Sequence, residues 1–528
     1  MSSAEIPDKA RSDPSGDLAR LNNSPHALAS WQNAQQCLLN GRHALGLASY
    51  RSLTQQFPGV AQLWVEMGMT AAADLDFSLA DRTFQRAMEL GSTDASLLVS
   101  LGQQYHRLRR LDQVRACFER AATAEPSSVH AQLSLAAWYE RERRLDRAWE
   151  CAQACLALHP KDERTLYFLA FLLHGKGLNS EAETALRDLL QSDLRDPDVK
   201  ASASHLLGVV LDARGQYPDA IRWLGQAKTQ MCQLTDPTAL QLSYDRMDQA
   251  RRELLADLTP ETLRRWREKA GGAPGSHRMA FLGGPPMSGT ALIEQVLGNH
   301  SEILLVDESE AFAQELLTAL HPPAPARGLT LKSLNALPPT ARSQMIDRYF
   351  KSLLRETDKQ PGGKLLVDKN PSLTASLHIW LRLFPQLKVI IALRDPRDVV
   401  ISCYFQNLPL TAANSNFLSL ERTAKYYADC MDVWLRLREL GGFDWIETRY
   451  ENAVANLEAE GQRVTGFLGL PWQRAQASLD ESACRKFIFA PTYNEATQPV
   501  AGRWKNYADA LAPLHESLEK YCRALGYE

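Results

Sequence analysis

The chain has 528 residues, above the roughly 250–300 at which a single hydrophobic core stops growing, so two or more domains are expected. Hydrophobic residues at 45% and charged residues at 23% match globular usage and exclude disorder of the whole chain. A formal charge of −3 gives no broad basic footprint for nucleic acid or an anionic membrane, so any anion site must be local.

Residues 1–26 are polar, with Asp8, Asp13, Pro14 and Gly16, and read as a flexible N-terminal segment lacking the apolar core of a secretory signal. No apolar run approaches the ~18 residues of a membrane span, so a cytoplasmic location is the expectation. The nine cysteines are scattered without paired metal-ligand spacing; they read as buried free thiols and imply no metal.

From residue 27 to 230 the chain repeats itself with a period of 34 residues. Pro58, Ser92, Pro126 and Pro160 mark the ends of successive helical hairpins. Small residues recur in phase: Gly68, Gly102, Ala136 and Ala170 in the first helix of each pair, and Ala80, Val114, Ala148 and Ala182 in the second. Bulky residues follow the same clock, with Tyr105 and Tyr139 from the first helices and Phe84 and Phe118 from the second, the alternation that close helix packing needs. The pattern resembles the tetratricopeptide repeat, in about six units, and implies an α-solenoid whose face holds a peptide or protein partner, or a neighbouring subunit in a homo-oligomer. Residues 231–275 read as a connecting helix and then a linker with Gly271, Gly272, Pro274 and Gly275.

From Met279 an apolar strand runs into a Gly/Pro loop and then an amphipathic helix, with Ser288, Gly289 and Thr290 at the turn. Backbone amides, hydroxyls and the positive end of the helix dipole converge there, as an anion site requires. A nucleotide-triphosphate loop would add Gly-Lys-Ser/Thr; no lysine is present, which argues against a kinase or NTPase. The stretch resembles the 5′-phosphosulfate loop of sulfotransferases, especially the tyrosylprotein and tetratricopeptide-linked groups, which carry Pro-Arg-Ser-Gly-Thr-Thr here. In this chain Met287 stands in place of the arginine and Ala291 in place of the second threonine. The resemblance implies that Met287, Ser288, Gly289, Thr290 and Ala291 line the site of the co-substrate 3′-phosphoadenosine-5′-phosphosulfate (PAPS), released as adenosine 3′,5′-bisphosphate (PAP).

Further matches follow in the family's order over about residues 279–510, within an expected domain of residues 276–528. Val306-Asp307-Glu308 resembles the segment that ends in the acidic base, which makes Glu308 the expected general base. Leu365 to Lys369 reads as a buried strand, and the resemblance gives Lys369 the leaving oxygen of the nucleotide. Lys388 to Leu393 is a second buried strand; it delivers Arg394 to its carboxyl end, where ligands bind in open α/β sheets, and Ser402 follows on the next helix. The resemblance implies that Arg394 and Ser402 grip the 3′-phosphate, while Asp395 and Arg397 form a helix-capping pair. Tyr450, after the strand beginning near Phe443, is expected at the donor, Thr492 to orient it, and Arg503 on the nucleotide.

The fold class expected is therefore an α-solenoid followed by a P-loop-like parallel α/β domain, and the function sulfuryl transfer from PAPS to an acceptor hydroxyl, a peptide or protein tyrosine being favoured by the repeats. The alternative is a catalytically impaired PAPS/PAP-binding scaffold, a reading that rests on Met287.

Overall fold

The computed structural model describes residues 14–74, 76–108, 110–268, 278–320, 329–357, 362–477 and 501–527. Packing divides the chain into two compact units, residues 1–172 and 173–528. Among the described residues no helix is long and apolar enough to cross a membrane.

In the first unit, helices pack in tetratricopeptide-type pairs: Ala61–Ala73 with Phe77–Leu90, Ala95–Arg107 with Leu111–Ala124, and Val129–Arg141 with Leu145–Leu158. The 34-residue clock has a steric cause. A Cβ on Gly68 would collide with the Phe84 ring, and one repeat later a Cβ on Gly102 would collide with Phe118. Each phenylalanine also meets an aromatic of the following pair, Phe84 with Tyr105 at 5.4 Å between ring centroids and Phe118 with Trp138 at 6.5 Å, so the same residue closes its own hairpin and stacks the next.

The second unit holds a five-stranded sheet in the order β2-β3-β1-β4-β5, with every pair parallel. The strands are β1 (Met279–Gly283), β2 (Ile303–Asp307), β3 (Leu365–Lys369), β4 (Lys388–Leu393) and β5 (Asp444–Arg449). Alternation sends Phe281, Val389 and Ile391 into the core on one face, and Ala280, Leu282 and Ile390 into that on the other. Strands covered on both faces are mainly apolar, and β1 and β3 are buried along their whole length, β3 carrying its two charged residues, Asp368 and Lys369, at its carboxyl end.

The last helical hairpin, Pro197–Ala213 and Tyr217–Leu234, and the helices Thr238–Ala256 and Pro260–Glu268 pack within this second unit. Val209, Leu224, Tyr244, Leu255 and Trp266 lie in the same apolar core as Phe281 and Trp434. Polar contacts reinforce it, with Tyr244 Oη 3.1 Å from Asp429 and Arg422 3.0 Å from Asp245. The unit defined by packing thus starts at Leu173, while the repeat pattern in the sequence runs on to 230. The Gly/Pro stretch expected as a linker, 269–277, lies outside the described residues.

Candidate active site

The loop after β1 is shaped by backbone constraints. Gly284 has φ 131°, and a Cβ there would collide with the carbonyl oxygen of Ala392. Its N–H donates to Thr374 Oγ1 at 2.8 Å, and the Thr374 hydroxyl returns a bond to the Gly284 carbonyl at 2.9 Å. Three residues later Met287 adopts φ 64°, a conformation costing a non-glycine residue about 1–3 kcal/mol and expected where a site needs it. Gly289, at φ 93°, caps the helix Thr290–Gly298; a Cβ on it would lie 2.7 Å from the Tyr450 ring. Within this turn the Ser288 Oγ is buried and has no hydrogen-bond partner. A buried hydroxyl of this kind is costly unless something accepts from it or donates to it.

Beside the loop, at the end of β4, Arg394 is buried. Its Nη1 donates to the Met287 carbonyl at 3.2 Å, its guanidinium lies 4.3 Å from the Tyr450 ring centroid, and its Nε is 3.6 Å from Asp398. Ser402 lies on the following helix, Pro396–Tyr404, also buried. That helix is capped by Asp395, which accepts from the Arg397 amide at 2.9 Å and holds the Arg397 guanidinium at 2.9 and 2.7 Å.

The third element is a charge cluster at the ends of β2 and β3. Parallel pairing sets Asp307 opposite Lys369. Lys369, 2% exposed, places Nζ 2.8 Å from Asp307, 2.7 Å from Glu308 and 3.0 Å from Glu294 of the loop helix. Burial alone would lower the ammonium's pKa, but Glu308, Glu294 and Asp307 together hold it well above the ordinary lysine value, so it is a cation at any physiological pH. Glu308 is the exposed member, its side chain 43% accessible, and it sits at φ 47° with its N–H donating to the Lys369 carbonyl at 2.8 Å.

A glycine-containing turn with a buried, unpartnered hydroxyl, a buried arginine and a lysine–carboxylate cluster thus stand at the carboxyl ends of neighbouring strands. Residues 280–474 match the family model described as the sulfotransferase family. The second half is thus similar to sulfotransferases over the segment that holds these elements. An uncharacterized protein of Aquifex aeolicus is 24% identical over 347 residues, 63% of this chain and 43% of that one. Protein-tyrosine sulfotransferase A of Caenorhabditis elegans is 23% identical over 201 residues, 36% of this chain and 50% of that one. A solved sulfotransferase from Mycobacterium avium is 16% identical with a TM-score of 0.30, covering 52% of this chain and 83% of that one. The chain spans about half the length of the curated relatives it matches.

Within the matched segment the structure brings together Met287, Ser288, Gly289, Thr290, Arg394 and Tyr450 around the loop, and Glu308 with Lys369 at the sheet's edge. Ala291, half-buried, stands in the first turn of the loop helix. The structure does not bring Arg503 into these contacts: it is buried, paired with Asp212 at 2.7 Å, and its guanidinium lies 4.0 Å from the Phe405 ring centroid. Thr492 lies outside the described residues. Sequence reasoning missed Glu294, the third carboxylate on Lys369. Its signal was a single acid in an otherwise apolar half-turn, Ala291-Leu292-Ile293-Glu294, pointing along the helix that leads from the loop.

Proposed function

We propose that the protein is a sulfotransferase that moves the sulfuryl group of PAPS to an acceptor hydroxyl, the phenol of a peptide or protein tyrosine being the preferred acceptor. The observation that carries this reading is the Lys369–Glu308 pair, a buried cation holding an exposed carboxylate beside an anion-binding turn. The donor fits the residues present: the unpartnered Ser288 Oγ and the amides at the start of the loop helix would hold the 5′-phosphosulfate, and Arg394 with Ser402 the 3′-phosphate. When bound, PAPS supplies an activated sulfuryl group, whose in-line transfer resembles phosphoryl transfer and depends on positioning and charge stabilisation.

The chain's own residues do the rest. The exposed Glu308 carboxylate takes the acceptor's proton, which for a phenol of pKa ~10 is worth about 10²–10⁴-fold in rate. Lys369 stabilises the negative charge that develops on the leaving oxygen. Because Glu294 and Asp307 also hold its ammonium, Lys369 stays oriented when Glu308 turns to the acceptor. Thr492 orients the donor in this reading. The repeat array would deliver the acceptor peptide, as protein-binding repeats do.

Met287, where related loops carry arginine, favours a second reading, a PAP-binding scaffold without turnover. Titration with PAP and with ATP tests the donor site: PAP should bind the tighter by roughly 10–150-fold, the worth of a charge-assisted 3′-phosphate contact. Equal affinity for ATP would overturn the donor assignment.

A further inference from the structure

Side chains of the last helical hairpin reach the helix that carries Ser402. From Pro197–Ala213, His205 Nε2 lies 3.0 Å from the carbonyl oxygen of Phe405. From Tyr217–Leu234, Lys228 Nζ donates to the carbonyl oxygen of Gln406 and lies 5.6 Å from the Tyr404 ring centroid. Both acceptors sit immediately past the end of the helix Pro396–Tyr404, where carbonyl groups lack intrahelical partners and a donor or cation is favoured. His205 is fully buried and its Nδ1 has no partner. Burial lowers its pKa to about 3, so the ring is neutral and its one proton must be on Nε2 to donate.

The other end of that helix is held from the same hairpin by a second route. Asp212 accepts from Arg503 Nη2 at 2.7 Å and from the Tyr507 hydroxyl. This anchors the segment 501–507, whose Gly502 and Trp504 amides each donate to the Asp398 carboxylate at 2.7 Å. Asp398 in turn faces the Arg394 Nε at 3.6 Å, and the Arg397 guanidinium lies 3.7 Å from the Trp504 ring centroid. If the hairpin served packing alone, apolar side chains would fill the space at no desolvation cost. Instead three buried polar side chains fix direction as well as distance.

We propose that His205, Asp212 and Lys228 are positioning residues of the donor site: through them the last hairpin sets where Ser402 and the Arg394 guanidinium meet the donor's 3′-phosphate. The inference rests on the PAPS reading above and deepens it, because it makes the end of the repeat array part of the nucleotide site. The 5′ loop meets this helix and Arg394 through the Pro286 and Met287 carbonyls, but it has further anchors of its own, Thr374 on Gly284 and Tyr450 against Gly289. A small displacement of the helix should therefore cost the 3′-phosphate contact more than the 5′ contacts.

The test is calorimetric binding of PAP and of adenosine 5′-phosphate to the full chain and its variants His205→Leu, Lys228→Met and Asp212→Asn. The parent should prefer PAP strongly; each variant should lose roughly tenfold of that preference, with the 5′-phosphate bound within about twofold of the parent. His205→Gln, which restores a donor, should recover most of the preference. Should the apolar variants unfold, His205→Gln and Asp212→Asn decide, the first keeping and the second losing the preference. Equal weakening of both ligands would reduce the hairpin to a structural prop and overturn the proposal. A parent that prefers PAP, with folded variants unchanged, would overturn it while leaving the PAPS reading intact; a parent without preference would overturn both.

Discussion

Replacing Lys369 by methionine keeps most of the side-chain volume and removes the charge on which three carboxylates converge. Glu308 is 43% exposed and will turn to water, so its contact contributes little to the cost. Glu294 and Asp307 are 14% and 17% exposed, and both would be left facing an apolar group. Removing one partner of a buried charge pair costs about 3–5 kcal/mol, and the partial exposure here argues for the lower end, ~3 kcal/mol. For a unit spanning residues 173–528, with an unfolding entropy of ~2.1 cal/mol/K per residue, that corresponds to a fall in Tm of about 4 °C. Scanning calorimetry of both proteins reads this directly. A fall in Tm below 2 °C would refute the view that Lys369 neutralises a carboxylate cluster.

Arg394→Ala should weaken PAP by ~1.5–3 kcal/mol, roughly 10–150-fold, and adenosine 5′-phosphate far less; equal losses in calorimetric titration would contradict its 3′-phosphate role. Gly289→Ala places a Cβ against Tyr450 at a φ of 93°, so Tm should fall and PAP affinity with it, at a cost of about 1–3 kcal/mol; an unchanged Tm would show that the turn can relax. Burial lowers the Lys228 amine to about 7, so between pH 7 and 9 the folded chain binds fewer protons than the unfolded one and this group's contribution to stability rises with pH. Denaturation midpoints of the parent should therefore climb relative to Lys228→Met across that window; parallel curves would show a lysine that titrates normally.

How much was legible in the sequence depended on the distance over which a signal acts. The repeat was visible because one steric rule, Gly68 under Phe84, recurs as Gly102 under Phe118, and a local rule repeated in phase needs no tertiary knowledge. The strands β1, β3 and β4 announced themselves as short, mainly apolar runs, as a sheet covered on both faces favours. Lys369 and Glu308, far apart in the chain, could be paired only through a resemblance, and it is the parallel register of β2 on β3 that brings them together. Glu294 stayed hidden because a lone acid on a helix reads as a solvated face. The pairing of Arg503 with Asp212 could not be read from the sequence, because nothing near Arg503 names a residue almost 300 positions earlier. For the same reason the last hairpin read as the end of the array, when its buried residues belong to the core of the sheet unit.

The central question is whether the Glu308–Lys369 cluster performs chemistry. The most direct measurement is incubation of the full chain with labelled PAPS and a tyrosine-containing acceptor peptide, read by mass spectrometry for an added sulfonate, alongside Glu308→Gln. The parent should transfer the label to the peptide, and Glu308→Gln should lose ~10²-fold or more of turnover while binding PAP as tightly as the parent, since it removes the proton acceptor and little else. A parent that binds PAP yet transfers nothing to tyrosine, carbohydrate or small phenol acceptors, with Met287→Arg bringing no turnover, would contradict the enzyme reading and leave a nucleotide-binding scaffold.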